Sequence, residues 1–183
     1  MKDKIKVNGV VTVRVFDRDG NVKRHPAGCF ARLFGLRGRL MQSSRHNIVT
    51  RQGDALIADS LLAVPGKAKV VSGSGFIQVG TGWTGNSTKL NTCCNSASSS
   101  AEALDDGYPA LKAAWGNQGD TTVCYRATFE AGELSANGIN EAALLNGDDG
   151  AAACLAYAQI TPAVNVSSAD TLQVVWEITI LGQ

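Results

Sequence analysis

Two stretches of this 183-residue chain hold residue types at spacings from which chemistry is built. Gly80-Thr81-Gly82-Trp83-Thr84-Gly85 has the G-x-G-x-x-G spacing that, between a strand and a helix, cradles a pyrophosphate on backbone N–H groups. The residues after it, Asn86 to Ser96, have no helical periodicity, so half of that site is missing. A flexible strand exit is predicted instead. Asp17-Arg18-Asp19-Gly20-Asn21 opens like a calcium loop, but its twelfth position, where a bidentate Glu belongs, is Gly28. A hairpin turn is the better reading, because Asp-Gly accepts the positive φ such turns need.

The histidines are His25 and His46, both in turn-like surroundings, and no HExxH, Walker lysine loop or GxSxG occurs. The chain is therefore predicted not to be an enzyme and to use no metal or cofactor. Its five cysteines, Cys29, Cys93, Cys94, Cys124 and Cys154, have no CxxC spacing and predict no zinc site. Cys124 and Cys154 lie in apolar runs and read as small buried hydrophobes. Cys93 and Cys94, adjacent in a polar loop, read as exposed thiols able to form disulfides to the core or to another subunit.

Charge supplies the other candidate surface. The net charge of +1 divides at Asp54: the first 54 residues carry 12 Lys or Arg and 4 Asp, and the remainder is net acidic by 7. A cationic surface of this kind attracts acidic faces with a strength that falls as salt rises. Arg14, Arg18, Lys23, Arg24, Arg32, Arg37, Arg39 and Arg45 are the candidate docking residues. Phe30 and Phe34 are the aromatics available between Lys23 and Arg45, and no nucleic-acid reader motif accompanies them. An acidic protein face is thus preferred to nucleic acid as the partner. A carbohydrate- or nucleic-acid-binding module using Trp83 and Trp115 is the alternative from a different class.

The elements that must carry these residues are mostly strands. Ile5 to Val15 alternates with a period of two, and Thr171 to Leu181 does so again at the C-terminal end. Ala68 to Val71, Gly75 to Gly80, Val123 to Ala131 and Ala151 to Thr161 are further strand candidates. Asn47 to Leu62 has the best helical pattern, with Thr50 as N-cap, Leu56, Ile57 and Leu61 near one face, and Gly53 weakening it by about 1 kcal/mol. Lys23 to Arg45 reads as an irregular basic excursion. Thr81 to Gly119 is longer than an ordinary loop and predicts a functional excursion or a mobile arm. The expected fold is mainly β, an antiparallel sandwich or barrel with one short helix and long loops. Residues 1–54 are expected to form a basic strand, hairpin and arm packed on the body formed by 55–183. Apolar runs are too short to span a bilayer, and the basic N-terminus lacks the apolar block of a signal peptide.

Asn47-Ile-Val-Thr-Arg-Gln-Gly-Asp-Ala-Leu-Ile-Ala-Asp59, Ile77-Gln-Val-Gly-Thr-Gly82, Thr128 to Asn146 with its Asn137-Gly-Ile-Asn-Glu-Ala-Ala-Leu-Leu-Asn146 turn, and Asp170 to Ile180 follow one another in order. Together they resemble small structural proteins of tailed bacteriophages, the capsid decoration (cement) and tail-associated group. The resemblance covers about three-quarters of the chain; Thr84 to Ser100 departs from it. It implies an antiparallel sandwich and a virion role without catalytic residues. The function expected is a decoration protein on the capsid surface, docked on the major capsid protein as a homo-oligomer, with a trimer favoured by shell geometry. A tail or neck component is the alternative within that group.

Overall fold

The computed structural model describes residues 5–27, 32, 37–84, 89–112, 121–149 and 151–182. Period-two patterning builds the first sheet. On β1 (Ile5–Phe16), Val11, Val13 and Val15 are buried while Arg14 is exposed. Their register partners on β10 (Thr171–Gly182) are Trp176, Val174 and Leu172, all buried on the same face. β7 (Thr122–Phe129) extends that face with Ala127 and Phe129. With β2 (Gln42–His46) and the two-residue β6 (Ala110–Leu111) at its edges, the sheet has the order β2-β1-β10-β7-β6.

The second sheet combines β3 (Ile48–Val49), β4 (Phe76–Gly80), β5 (Glu102–Ala103), β8 (Ala136–Leu145) and β9 (Cys154–Val166) in the order β3-β9-β8-β4-β5. Both sheets are antiparallel and stack as a sandwich, which decides against a closed barrel. The core between them joins Trp176 and Phe129 from one sheet with Ala142, Ala156 and Ala158 from the other. Large side chains facing small ones let the two faces interdigitate.

The helix α1 (Arg51–Ser60) starts where expected, the Thr50 hydroxyl accepting the Gly53 N–H at 2.9 Å. Gly53 serves packing: a Cβ there would lie 2.0 Å from the Leu155 carbonyl oxygen. Leu56 is buried and Ile57 half-buried, but Leu61 is 79% exposed, so the expected apolar face is shorter than its pattern. The Asp17 turn is also as expected, with Gly20 at φ +77° and the Asp17 carboxylate accepting the N–H groups of Asp19 and Asn21.

Three expectations fail. Ala68 to Val71 is not a strand; Val70 is buried within a bend. The supposed irregular stretch before Arg45 contains most of β2. Most consequentially, the expected turn at Asn137 to Asn146 is, all but its last residue, part of β8, a central strand of the second sheet. Residues 141 to 145 are all buried, and a strand covered on both faces shows no alternation to read.

Candidate partner-docking site and the glycine-rich loop

Residues 42–49 pass from β2 in one sheet to β3 in the other, and before they cross, β2 and the residues leading into it form, with β1 and the Thr161–Pro162 stretch of β9, a groove of about 550 Å³. Ser43 holds its floor. Its hydroxyl donates to the Thr161 carbonyl at 3.0 Å and accepts the Thr161 N–H at 3.1 Å, supplying by side chain the bonds a strand partner would make. Arg14 projects from the outward face of β1, Arg39 precedes β2, and Arg45 lies on it; all three are exposed and line the groove. Arg45 is aimed by one bond, Nε to the Thr161 carbonyl at 3.2 Å, which leaves its other guanidinium N–H groups available. Thr12, Gln42 and Ser44 add polar side chains, and no carboxylate lines the groove.

The remaining expected docking residues divide. Arg18, Arg24, Arg32 and Arg37 are exposed; Arg24 donates to the Gly38 carbonyl at 3.0 Å, and none of the four has an ion pair among the described residues. Lys23 is different: it pairs with Asp170, whose side chain is 5% exposed. Burial opposes ionisation of Asp170, but bonds from Lys23 and Ser167 outweigh it and hold the carboxyl below its ordinary value. Lys23 is thus a structural cation rather than an available one.

The glycine-rich motif has a use that its spacing alone misrepresents. Glu141 on β8 is fully buried on the outer face of the second sheet. Its carboxylate accepts the backbone N–H groups of Gly82 at 2.9 Å, Ser96 at 2.9 Å and Asn95 at 3.0 Å, together with the Tyr157 hydroxyl. Trp83 stacks on Tyr157 with ring centroids 5.4 Å apart. A Cβ at Gly80 would fall 2.3 Å from the Ser96 carbonyl oxygen, and one at Gly82 would fall 2.6 Å from the Ser96 nitrogen. The glycines therefore admit a close-packed loop around an internal anion. The described part of this strand exit is pinned, not flexible. Sequence reasoning passed over Glu141 although it is the one charge between Ile139 and Leu145, a pattern that marks a buried, satisfied carboxylate.

No known protein family, curated protein or solved structure matches this chain.

The thiols depart from expectation in their exposure. Cys93 is exposed but Cys94 is buried, its sulfur donating to the Gln78 carbonyl, and both are free. Burial pushes the Cys94 thiol up, and the buried Cys154 up to about 12. Cys124 is half-buried rather than buried. His46 is exposed on β2; His25 is half-buried, and neither bonds a carboxylate among the described residues. No His, Cys, Asp or Glu cluster among those residues has metal-holding geometry. Cys29, Gly85 and Trp115 lie outside the described residues.

Proposed function

We propose that the chain is a virion structural protein, a decoration protein that docks on an acidic face of the major capsid protein through its cationic residues and assembles as a homo-oligomer, in the simplest case a trimer. The observation that carries this reading is the arginine groove: Arg14, Arg39 and Arg45 converge on one exposed depression with no lining carboxylate. Guanidinium groups left in this state are made for carboxylate partners, which they hold through paired N–H donors. Arg18, Arg24, Arg32 and Arg37 extend the cationic surface along the connection from β1 to β2. Weak contacts of this kind become firm when several copies bind one lattice together.

The experiment mixes purified protein with expanded, undecorated capsids and measures bound protein against concentration and salt. Saturable binding that weakens with salt is expected, and Arg14→Glu/Arg39→Glu/Arg45→Glu, which reverses the charge of the groove, should weaken it further. Absence of saturable binding at low salt overturns the reading.

A further inference from the structure

The core-facing side of the first sheet runs on past the cover of the second. Along β10 the residues on that side pass from Trp176, fully buried, through Ile178 at 5% exposure to Ile180 at 44%. Register partners share a face, so Val123 beside Ile178 and Leu111 beside Val123 carry the same open surface to the β6 edge. Across from this overhang lie α1 and the returning residues 67–71, and between them is a cleft of about 260 Å³ lined by Leu56, Ile57, Val71, Val123, Tyr125 and Ile180. The connection after α1 stands at its mouth, for Ser60 and Lys67, on either side of that connection, both line the cleft. Its base is fixed: Leu62 N–H donates to the Asp59 carbonyl at 3.0 Å, and the Asp59 carboxylate accepts the N–H groups of Gly66 at 3.1 Å and Lys67 at 2.9 Å. Leu61, Leu62 and Val64 on this loop, with Leu111, are 58–83% exposed.

We infer that this apolar end is where copies of the chain meet, the Leu61–Pro65 loop of one copy entering the cleft of the next. Leu61, Leu62, Val64, Val71, Leu111 and Ile180 together expose on the order of 600 Å², at the top of the ~300–600 Å² of the largest apolar patch on a typical monomer. With the half-buried cleft lining added, that approaches the roughly 800 Å² each partner gives to a stable interface. The loop is already ordered by Asp59, so docking it loses little conformational freedom. Charge at the rim is mixed: Lys67, Lys69 and Asp59 line the cleft, and the Asn146 side chain, donating to the Ala68 carbonyl at 2.8 Å, brings the turn with Asp148 and Asp149 beside them. Like ends therefore meet without repulsion of a single sign, and a polyanion or an anionic membrane finds no matching field. A loop and a cleft side by side on one end let the contact close around a two-fold or three-fold axis. The inference deepens the proposed function: it rests on that reading for the homo-oligomer, assigns the subunit contact to apolar surface, and leaves the arginine groove free for the shell.

Sedimentation velocity of the full chain, without capsids, tests the contact. The protein should sediment as an oligomer, and raised salt should leave association unchanged or strengthen it, the opposite of the salt dependence expected for docking through arginines. Leu62→Asp/Val64→Asp, on the exposed loop, and Val71→Asp/Leu111→Asp, on the walls facing it, should each weaken association by about 100-fold or more, because either places a charge in an apolar contact. Leu90→Asp, at an exposed leucine outside the cleft, should change nothing. All variants are checked for native circular dichroism, and the salt titration of the unaltered chain stands without them. A chain that stays monomeric at about 100 μM overturns the inference. So does an oligomer that dissociates as salt rises, an oligomer that both double variants leave intact, or a monomer whose apolar end binds laurate or phosphatidylglycerol vesicles instead. Capsid binding by the same samples separates the two readings. A monomer that still binds capsids leaves the docking reading intact and removes the contact. An oligomer broken by the double variants that binds no capsid removes the docking reading and keeps the contact.

Discussion

Tyr157 donates its hydroxyl to the buried carboxylate of Glu141, and the same carboxylate takes three backbone N–H groups from the loop above it. The chain thus supplies its own anion to a glycine-rich loop of the kind that elsewhere receives a phosphate. Four donors satisfy a charge that would otherwise be prohibitive at full burial. A loop rich in Gly, Ser and Asn is held to the sheet without a large core of its own.

Glu141→Gln keeps the shape but turns an acceptor into a donor facing other donors. It should destabilise the protein by about 2–4 kcal/mol in urea unfolding. Tyr157→Phe removes one donor and should cost about 1–2 kcal/mol. Limited proteolysis should cut between residues 81 and 101 earlier in both variants than in the parent.

Gly80→Ala forces a methyl group toward the Ser96 backbone and should cost about 1–3 kcal/mol by overpacking. Gly20→Ala meets no neighbour; its cost comes from the positive φ alone. A greater change in Trp83 fluorescence with Gly80→Ala than with Gly20→Ala would place the disturbance at the loop.

Asp170 ties stability to acid. Its carboxyl is lowered in the folded state, so the stabilisation is fully present above the ordinary carboxylate value and is lost as pH falls through the folded value. Lys23→Met should cost about 1–3 kcal/mol at neutral pH and flatten the acid limb of a stability profile. It should leave capsid binding unchanged, unlike reversal of Arg14, Arg39 and Arg45. Equal loss of binding in Lys23→Met would contradict its placement as a structural cation.

Thiol accessibility should follow burial. In a Cys29→Ser background, brief alkylation of the native protein should modify Cys93 well before Cys94 or Cys154, whose thiols burial keeps protonated and enclosed. Peptide mapping by mass spectrometry reads the order directly. Equal labelling of Cys93 and Cys94 would contradict the buried placement of Cys94.

Legibility followed the number of buried faces. β1 and β10 alternate because one face meets the core and the other does not, and Thr50 announced the helix because capping is local chemistry. β8 was hidden because Gly82, Trp83, Asn95 and Ser96 cover its outer face as well. The glycine motif misled for a related reason: its ligand, Glu141, lies 59 positions beyond the N–H of Gly82 that it binds, and only the fold joins them. The arginines were visible as charge, but the convergence of Arg14, Arg39 and Arg45 depends on the placement of β2 beside β1 and β9. Nothing in their spacing separates them from Lys23, whose partner is 147 positions away.

Residues 42–49 belong to both sheets, and at the far side the chain crosses again between β5 and β6. A sideways pull on either margin of the sandwich therefore enters both hydrogen-bonded ladders at once, as a load shared in parallel. Neither ladder has to bear the whole of it before the other engages. A body stitched at both margins resists separation of its two sheets better than one joined only by core packing, and that mechanical property comes from the route of the backbone rather than from any single bond.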